Sequence, residues 1–356
     1  MFNEQPNKIF IQIASYRDPE LVPTIKNCIE NADQPNNLSF GICWQHTTED
    51  VWDNLDEFLK DDRFKIISIN HSLTKGCCWA RNLLQQLYNG EEYTLQLDSH
   101  HRFIKGWDAI LINMYKQLKE KGHEKPLITA YLPSYNPEND PEERVLVPWK
   151  INLKEITKDK QVLFIPSNMS MSNEPILAKF YSAHFAFTTG QFIKEVPHDP
   201  ELYFTGEEMS ITVRAYTYGY TLFHPHIVIA WHEYTRKNRT KQWDDDKEWW
   251  KKDLHSKNHY LQIFNNIDKP YGLGSQKTVQ DYIAFSGVNF LDINIEEIDK
   301  NEKIDKIEDK KYKQLDDAWL NWIKENIALN VSRDVIYNIL LEANFNPDEI
   351  DISFFS

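Results

Sequence analysis

An α/β fold on a mostly parallel sheet is what this sequence predicts, and three observations predict it. Short β-forming runs alternate with helical periodicities over roughly the first 100 residues, the β-α-β-α order that right-handed crossovers join into a parallel sheet. The run Tyr93–Leu97 stops abruptly at Asp98-Ser99-His100, as a buried strand does when its carboxyl end delivers polar side chains to a crevice; in open α/β sheets ligands sit there. The 356 residues, 41% hydrophobic and 13% aromatic, suffice for one large α/β domain with a smaller unit beside it.

Each element has its own warrant. Lys8–Ala14 reads as the first strand and opens into Ser15-Tyr16-Arg17-Asp18-Pro19, where Pro19 stops the strand and Asp18 lies near the cap of a helix through Leu21, Ile25 and Ile29. Leu38–Trp44 and Arg63–Ile69 are the second and third strands. Gly76 leads into a helix through Leu83, Leu84 and Leu87, and the strand ending at Asp98 follows. Phe103–Lys121 reads as one helix, with Trp107, Ile110, Leu111 and Tyr115 on one side. Pro126–Tyr131 is strand-like, and 132–146, rich in Pro, Asn and Glu, is a surface loop. Val145–Leu153 and Val162–Ile165 suggest a β-ribbon, and Pro166–Pro175 a second loop. Tyr181–Gly190 reads as strand then turn. A helix starts at Glu207-Glu208, whose acids suit its dipole, and ends at Gly219. Tyr220–His226 and Ile227–His232 are two short β segments, Trp243–Phe264 is one amphipathic helix, and Val279–Phe285 is the last helix of the domain.

Charge and cysteine content exclude whole classes. A net charge of −14 disfavours nucleic-acid binding, because a duplex is repelled by the average surface. The four cysteines, Cys28, Cys43, Cys77 and Cys78, form neither a zinc pattern nor a secreted disulfide framework, and read as reduced thiols. Neither a signal peptide nor a run of about 18 apolar residues is visible, so the expectation is a soluble, cytoplasmic protein with no membrane span.

The candidate chemistry centres on Asp98 and His100. Two residues apart on an extended strand end, they share a face and can grip one cation. His101 would point to the opposite face. His224, His226 and Glu233 remain alternative ligands. Arg236, Lys237, Arg239 and Lys241 crowd a positive patch into an acidic chain, and guanidinium geometry fits phosphate.

Taken in order, Ser15-Tyr16-Arg17-Asp18, Trp79-Ala80-Arg81-Asn82, Leu97-Asp98-Ser99-His100, Thr205-Gly206-Glu207-Glu208 with Arg214, and Trp231-His232-Glu233-Tyr234 with Arg236 resemble the GlcNAc-transferase family that includes the cytoplasmic hydroxyproline GlcNAc-transferases. The chain more distantly resembles the polypeptide GalNAc-transferases. The resemblance spans about residues 8–290. It implies a GT-A fold, a UDP-GlcNAc donor, a divalent cation and retaining transfer to a hydroxyl, on a protein Ser, Thr or hydroxyproline. By the same resemblance, Asp98, His100 and His232 are the metal ligands. One carboxylate and two imidazoles favour Mn²⁺ over Mg²⁺. Ser15, Tyr16, Arg17, Asp18, Arg81, Asp98, Ser99, Arg236 and Arg239 are implied as contacts to the nucleotide sugar, and Glu207 or Glu208 as the acid near the sugar or acceptor. Two other readings accompany it: a UDP-sugar-binding module without turnover, and transfer of another sugar, GalNAc or Glc, to a glycan. A metal-dependent hydrolase with Glu233 as base lacks the His-Glu-x-x-His helix.

The expected division is a GT-A domain over 1–291, a charged linker or solvated helix over 292–317, and a small helical module over 318–356. Its helical periodicity makes the module a candidate for docking or homodimerisation.

Overall fold

The computed structural model describes residues 5–235, 237, 239–265, 270–291, 313, 315–328, 336, 339, 340, 343 and 345. Two compact units emerge, Met1–Ile293 and Asn294–Ser356. Most of the charged stretch expected over 292–317 and most of the tail beyond residue 328 lie outside the described residues.

The larger unit is built on an eight-stranded mixed sheet of order β3-β2-β1-β4-β10-β6-β11-β9. Its strands are β1 (Gln5–Tyr16), β2 (Leu38–His46), β3 (Phe64–Asn70), β4 (Glu91–Leu97), β6 (Pro126–Thr129), β9 (Ile176–Leu177), β10 (Phe185–Thr189) and β11 (Thr221–His224). The first four are mutually parallel, as the alternating pattern predicts. β10 then runs antiparallel between β4 and β6, and β6 and β11 are again parallel. The central strands bury nearly every side chain, which is why they read as apolar runs rather than alternating ones.

Helices α1 (Leu21–Asn31), α2 (Cys77–Gln85) and α3 (Trp107–Glu120) connect the parallel strands. α1 and α3 pack Leu21, Ile25, Trp107, Leu111 and Met114 into one core with Ile11, Ile13, Leu95 and Leu97. Trp107 is fully buried and its indole N–H donates to the Cys28 carbonyl at 2.9 Å, so a large apolar body is buried without an orphaned donor. After α4 (Gln191–Glu195), α5 (Glu207–Thr217) packs with α7 (Trp249–Ile263) and α8 (Val279–Ser286) around Met209, Val213, Tyr260 and Tyr282. The expected ribbon forms from β7 (Trp149–Ile156) and β8 (Val162–Asn168), the first strand starting at Trp149 rather than Val145 and running on to Ile156, the second running past Ile165 to Asn168.

Two local expectations are corrected. Phe103 does not begin a helix: it ends the short strand β5 (His101–Phe103), and the helix waits for Gly106, whose left-handed backbone (φ 72°) turns the chain into α3. Trp243–Phe264 is not one helix. Gln242–Asp245 forms a single turn, α6, and Asp246 adopts extended backbone before α7 starts. The charged residues there mimic an amphipathic face while spending their side chains on local caps and ion pairs, such as Lys252 to Asp246 at 2.6 Å. The two short β segments expected over 220–232 both form: β11 joins the main sheet, and β12 (Ala230–His232) pairs with β5 in a two-stranded ribbon.

In the smaller unit, α9 (Asp317–Ala328) contributes Ile323 to a cluster with Ile336, Leu340 and Phe345. Trp319 and Trp322 flank it, so the helical periodicity read over this region corresponds to a buried apolar seam.

Candidate functional site

Register builds the site. β1 and β4 are adjacent and parallel, with Ile13 opposite Leu97, so the segments that follow them leave the sheet side by side at its carboxyl edge. One delivers Tyr16, Arg17 and Asp18; the other delivers Asp98, Ser99 and His100. The ladder between β5 and β12 sets His232 opposite His101 and so brings a residue 134 positions downstream of Asp98 to the same edge.

The strand itself ends at Leu97, so Asp98 and His100 do not share a face through strand geometry. They lie in a tight connection pinned by the Thr24 hydroxyl, which donates to the Ser99 carbonyl at 2.9 Å and accepts from the His101 N–H at 2.8 Å. Within that turn the side chains converge. Asp98 Oδ2 lies 3.4 Å from His232 Nε2 and 3.7 Å from His100 Nε2. One donor atom from each of the three falls within 4.8 Å of the others. His101 is held apart, its Nδ1 on the Asp98 carbonyl at 3.0 Å. His224 is spent on the Thr129 carbonyl and the Ile151 N–H, away from this cluster.

The donor set suits a divalent cation. Burial, then the neighbouring His184 and His100 rings, hold His232 well below the usual imidazole range, so it presents a neutral ring. Burial by itself would raise the Asp98 carboxyl, but the His232 hydrogen bond and the Arg81 guanidinium overcome it and hold Asp98 well below the usual carboxylate range. His100 Nδ1 meets Asp18 Oδ2 at 2.8 Å, which leaves Nε2 as the ring's face toward Asp98. An imidazole oriented by an outer carboxylate is the arrangement metal-binding histidines use.

Behind this cluster Arg81, almost fully buried, bridges two carboxylates. Its Nη2 donates to Asp98 Oδ1 at 2.5 Å and its Nη1 to Glu207. Glu207 also faces His198 Nδ1 at 3.0 Å; burial opposes its ionisation, but Arg81 and His198 prevail and lower its pKa. Cys78, His198 and Glu207 form a second group of potential ligands, yet the Arg81 charge already balances its carboxylate. Glu208 turns the other way, accepting from the Tyr131 hydroxyl at 2.6 Å and the Ala183 N–H at 3.0 Å. Burial pushes its pKa up to about 7.

A cleft at the cluster is lined by Tyr16, Asp18, Gln45, Asp98, His100 and His232 together with Phe204, Arg239, Gln242 and Trp243. Ser99 lines it too, whereas Arg17, Arg81, Glu207 and Glu208 do not. Arg17 sits beneath, forked onto Asp50 at 2.6 and 2.9 Å and onto Asp245 at 2.9 Å. Ser15 is buried in β1. Arg239 donates to Asp18 Oδ2 at 2.8 Å and lies against the His100 ring. Arg236 lies outside the described residues. Sequence reasoning missed Gln45, Phe204 and Trp243 in the cleft, and Asp50 and Asp245 as the partners of Arg17. Each is an ordinary residue locally, and only long-range packing brings it here.

The family model "Glycosyltransferase (GlcNAc)" matches residues 8–65 and 52–292. No curated protein matches by sequence. Among solved structures, GalNAc-T7, crystallised with UDP, GalNAc and Mn²⁺, superposes with a TM-score of 0.52 at 14% identity, covering 83% of this chain and 57% of that one. TarS of S. aureus matches with a TM-score of 0.42 at 12% identity over 64% of this chain and 60% of its own. Its complex with UDP-GlcNAc matches with a TM-score of 0.44 at 12% identity over 74% and 68%. The chain thus spans less than two thirds of the length of GalNAc-T7 and of the first TarS chain. The sheet, its flanking helices and the likeness to GalNAc-T7 make the fold GT-A, and with most of its length matched by the family model the chain belongs to the GlcNAc-type glycosyltransferases.

Proposed function

We propose that this glycosyltransferase transfers GlcNAc from UDP-GlcNAc to a hydroxyl on a protein, a Ser, Thr or hydroxyproline, with retention at the anomeric carbon and with Mn²⁺ held by Asp98, His100 and His232. The observation that carries the reading is the convergence of Asp98 Oδ2, His100 Nε2 and His232 Nε2 at the floor of an aromatic-walled cleft. A divalent cation bound there neutralises the charge that develops on a leaving diphosphate. GalNAc-T7 was crystallised with UDP and Mn²⁺, and one TarS structure with UDP-GlcNAc, which supports a uridine nucleotide donor.

The chain's own residues divide the remaining work. Tyr16, Gln45 and Trp243 line the part of the cleft suited to an aromatic base. Arg239, beside His100, is placed to donate charge-assisted hydrogen bonds to phosphate oxygens. Arg81 fixes Asp98 and is in turn fixed by Glu207, so Glu207 positions rather than reacts. In a front-face transfer the acceptor hydroxyl attacks the anomeric carbon as the bond to the phosphate oxygen breaks and the departing phosphate takes the acceptor's proton, so no protein side chain is required as a nucleophile. The four free cysteines support a reducing, cytoplasmic setting. Among the described residues no helix is long and apolar enough to cross a membrane.

The test is a donor and acceptor screen. UDP-GlcNAc, UDP-GalNAc and UDP-Glc are each incubated with Ser-, Thr- and hydroxyproline-containing peptides, and UDP release and peptide mass are followed. GlcNAc addition from UDP-GlcNAc is expected. UDP binding with neither hydrolysis nor transfer for any donor would replace the reading with a binding module.

A further inference from the structure

Asp18 follows the first strand and lines the cleft, where a contact to the nucleotide is the expectation; its surroundings give it a different task. The side chain is 2% exposed and both oxygens are engaged. Oδ1 accepts the Glu20 N–H at 3.0 Å. Oδ2 accepts the Ser99 hydroxyl at 2.7 Å and Arg239 at 2.8 Å, and meets His100 Nδ1 at 2.8 Å. No acceptor capacity of Oδ2 is left for a ribose hydroxyl. Ser99, Arg239 and the Nδ1 side of the His100 ring thus all converge on Oδ2, which turns the ring so that Nε2 is the nitrogen facing Asp98; Arg239 Nη1 also lies against both ring nitrogens.

We propose that Asp18 is a positioning residue for the cation: its carboxylate holds the His100 ring with Nε2 turned toward Asp98, and thereby sets metal affinity rather than nucleotide recognition. Outer carboxylates of this kind change metal affinity by about 10–100-fold when removed. Ser99, between the two candidate ligands, acts with it: its hydroxyl donates to Asp18 and so keeps that oxygen aimed at His100. The pairing links the segment after β1 to the segment after β4, so the parallel register of those strands is what makes the arrangement possible. The inference rests on the metal reading of Asp98, His100 and His232.

The experiment separates the two. Mn²⁺ affinity of the full chain is measured by electron paramagnetic resonance of free Mn²⁺ at saturating UDP, and uridine affinity is measured separately in EDTA by calorimetry. For Asp18→Asn, an isosteric change, Mn²⁺ affinity is expected to fall about 10–100-fold while uridine affinity stays within about twofold. Asp18→Glu, which restores the charge but not the shape, is expected to bind Mn²⁺ more tightly than Asp18→Asn; a packing role predicts the reverse order. Unchanged Mn²⁺ affinity with lost uridine binding would overturn the inference and return Asp18 to the nucleotide. A native chain that binds UDP but no Mn²⁺ would overturn the metal reading itself.

Discussion

Arg81 is buried between two carboxylates, and Arg81→Met tests what that pairing contributes. Its side chain is 4% exposed and its two arms reach Glu207, 5% exposed, and Asp98, 25% exposed. Removing the cation leaves the Glu207 carboxylate buried with only a neutral His198 beside it, and breaking such a pair from one side costs about 3–5 kcal/mol. Asp98, being partly open to solvent, adds little of that. The sign with pH follows. In the native chain Glu207 is depressed below its ordinary 4.5, so its pairing stabilises the fold above that pH and the contribution fades as pH falls through it. In Arg81→Met the same carboxyl is raised, so the loss is greatest at pH 8 and shrinks towards pH 4.5, where Glu207 takes a proton. Urea unfolding at both pH values measures this. Adding Glu207→Gln to Arg81→Met is expected to recover at least ~2 kcal/mol at pH 8, because the orphaned charge is then gone. A loss under ~1 kcal/mol, a loss independent of pH, or a double variant no more stable than the single would refute the reasoning.

Two further outcomes are expected. Glu208 moves from an ordinary 4.5 up to about 7, so the folded chain keeps a proton that the unfolded chain has released, and native stability falls as pH rises through that window by ~3 kcal/mol. Glu208→Gln removes that dependence, and its melting temperature should exceed the native value at pH 8 and match it at pH 4.5. Gly76 opens α2 with φ 126°, and a Cβ there would lie 2.7 Å from the Tyr203 carbonyl oxygen. Gly76→Ala is therefore expected to lose more than ~2 kcal/mol in urea unfolding and to misplace Arg81, lowering turnover with it.

The half of the sheet around β1, β2 and β4 was legible because strands buried on both faces write themselves as apolar runs, and because Pro19 and Asp98 end two of those runs abruptly. The antiparallel insertion of β10 was not, since strand direction is a property of pairing and leaves no mark in Phe185–Thr189. Of the candidate ligand cluster, Asp98 and His100 were visible as a motif, although the turn at Ser99 rather than the strand brings them together. His232 was visible only through family resemblance, because the β5–β12 ladder that delivers it pairs two three-residue strands far apart in the chain. The roles of the arginines were least legible. Arg17 looked like a nucleotide contact, yet its fork closes on Asp50 and on Asp245, 228 residues away, while Arg81 acts from behind the cleft through Asp98. A guanidinium advertises an anion partner but not which anion, and that choice is made by the fold.

The central claim is that Asp98, His100 and His232 would hold a divalent cation whose charge would assist the departure of UDP. Steady-state UDP release from UDP-GlcNAc, measured on the native chain stripped with EDTA and then titrated with Mn²⁺, tests it most directly, with Asp98→Ala and His232→Ala measured alongside. The account predicts release that is lost in EDTA, restored by Mn²⁺ in the native chain, and reduced at least about 100-fold in both variants at any Mn²⁺ concentration. Release at the native rate in EDTA, or in either variant, would contradict it.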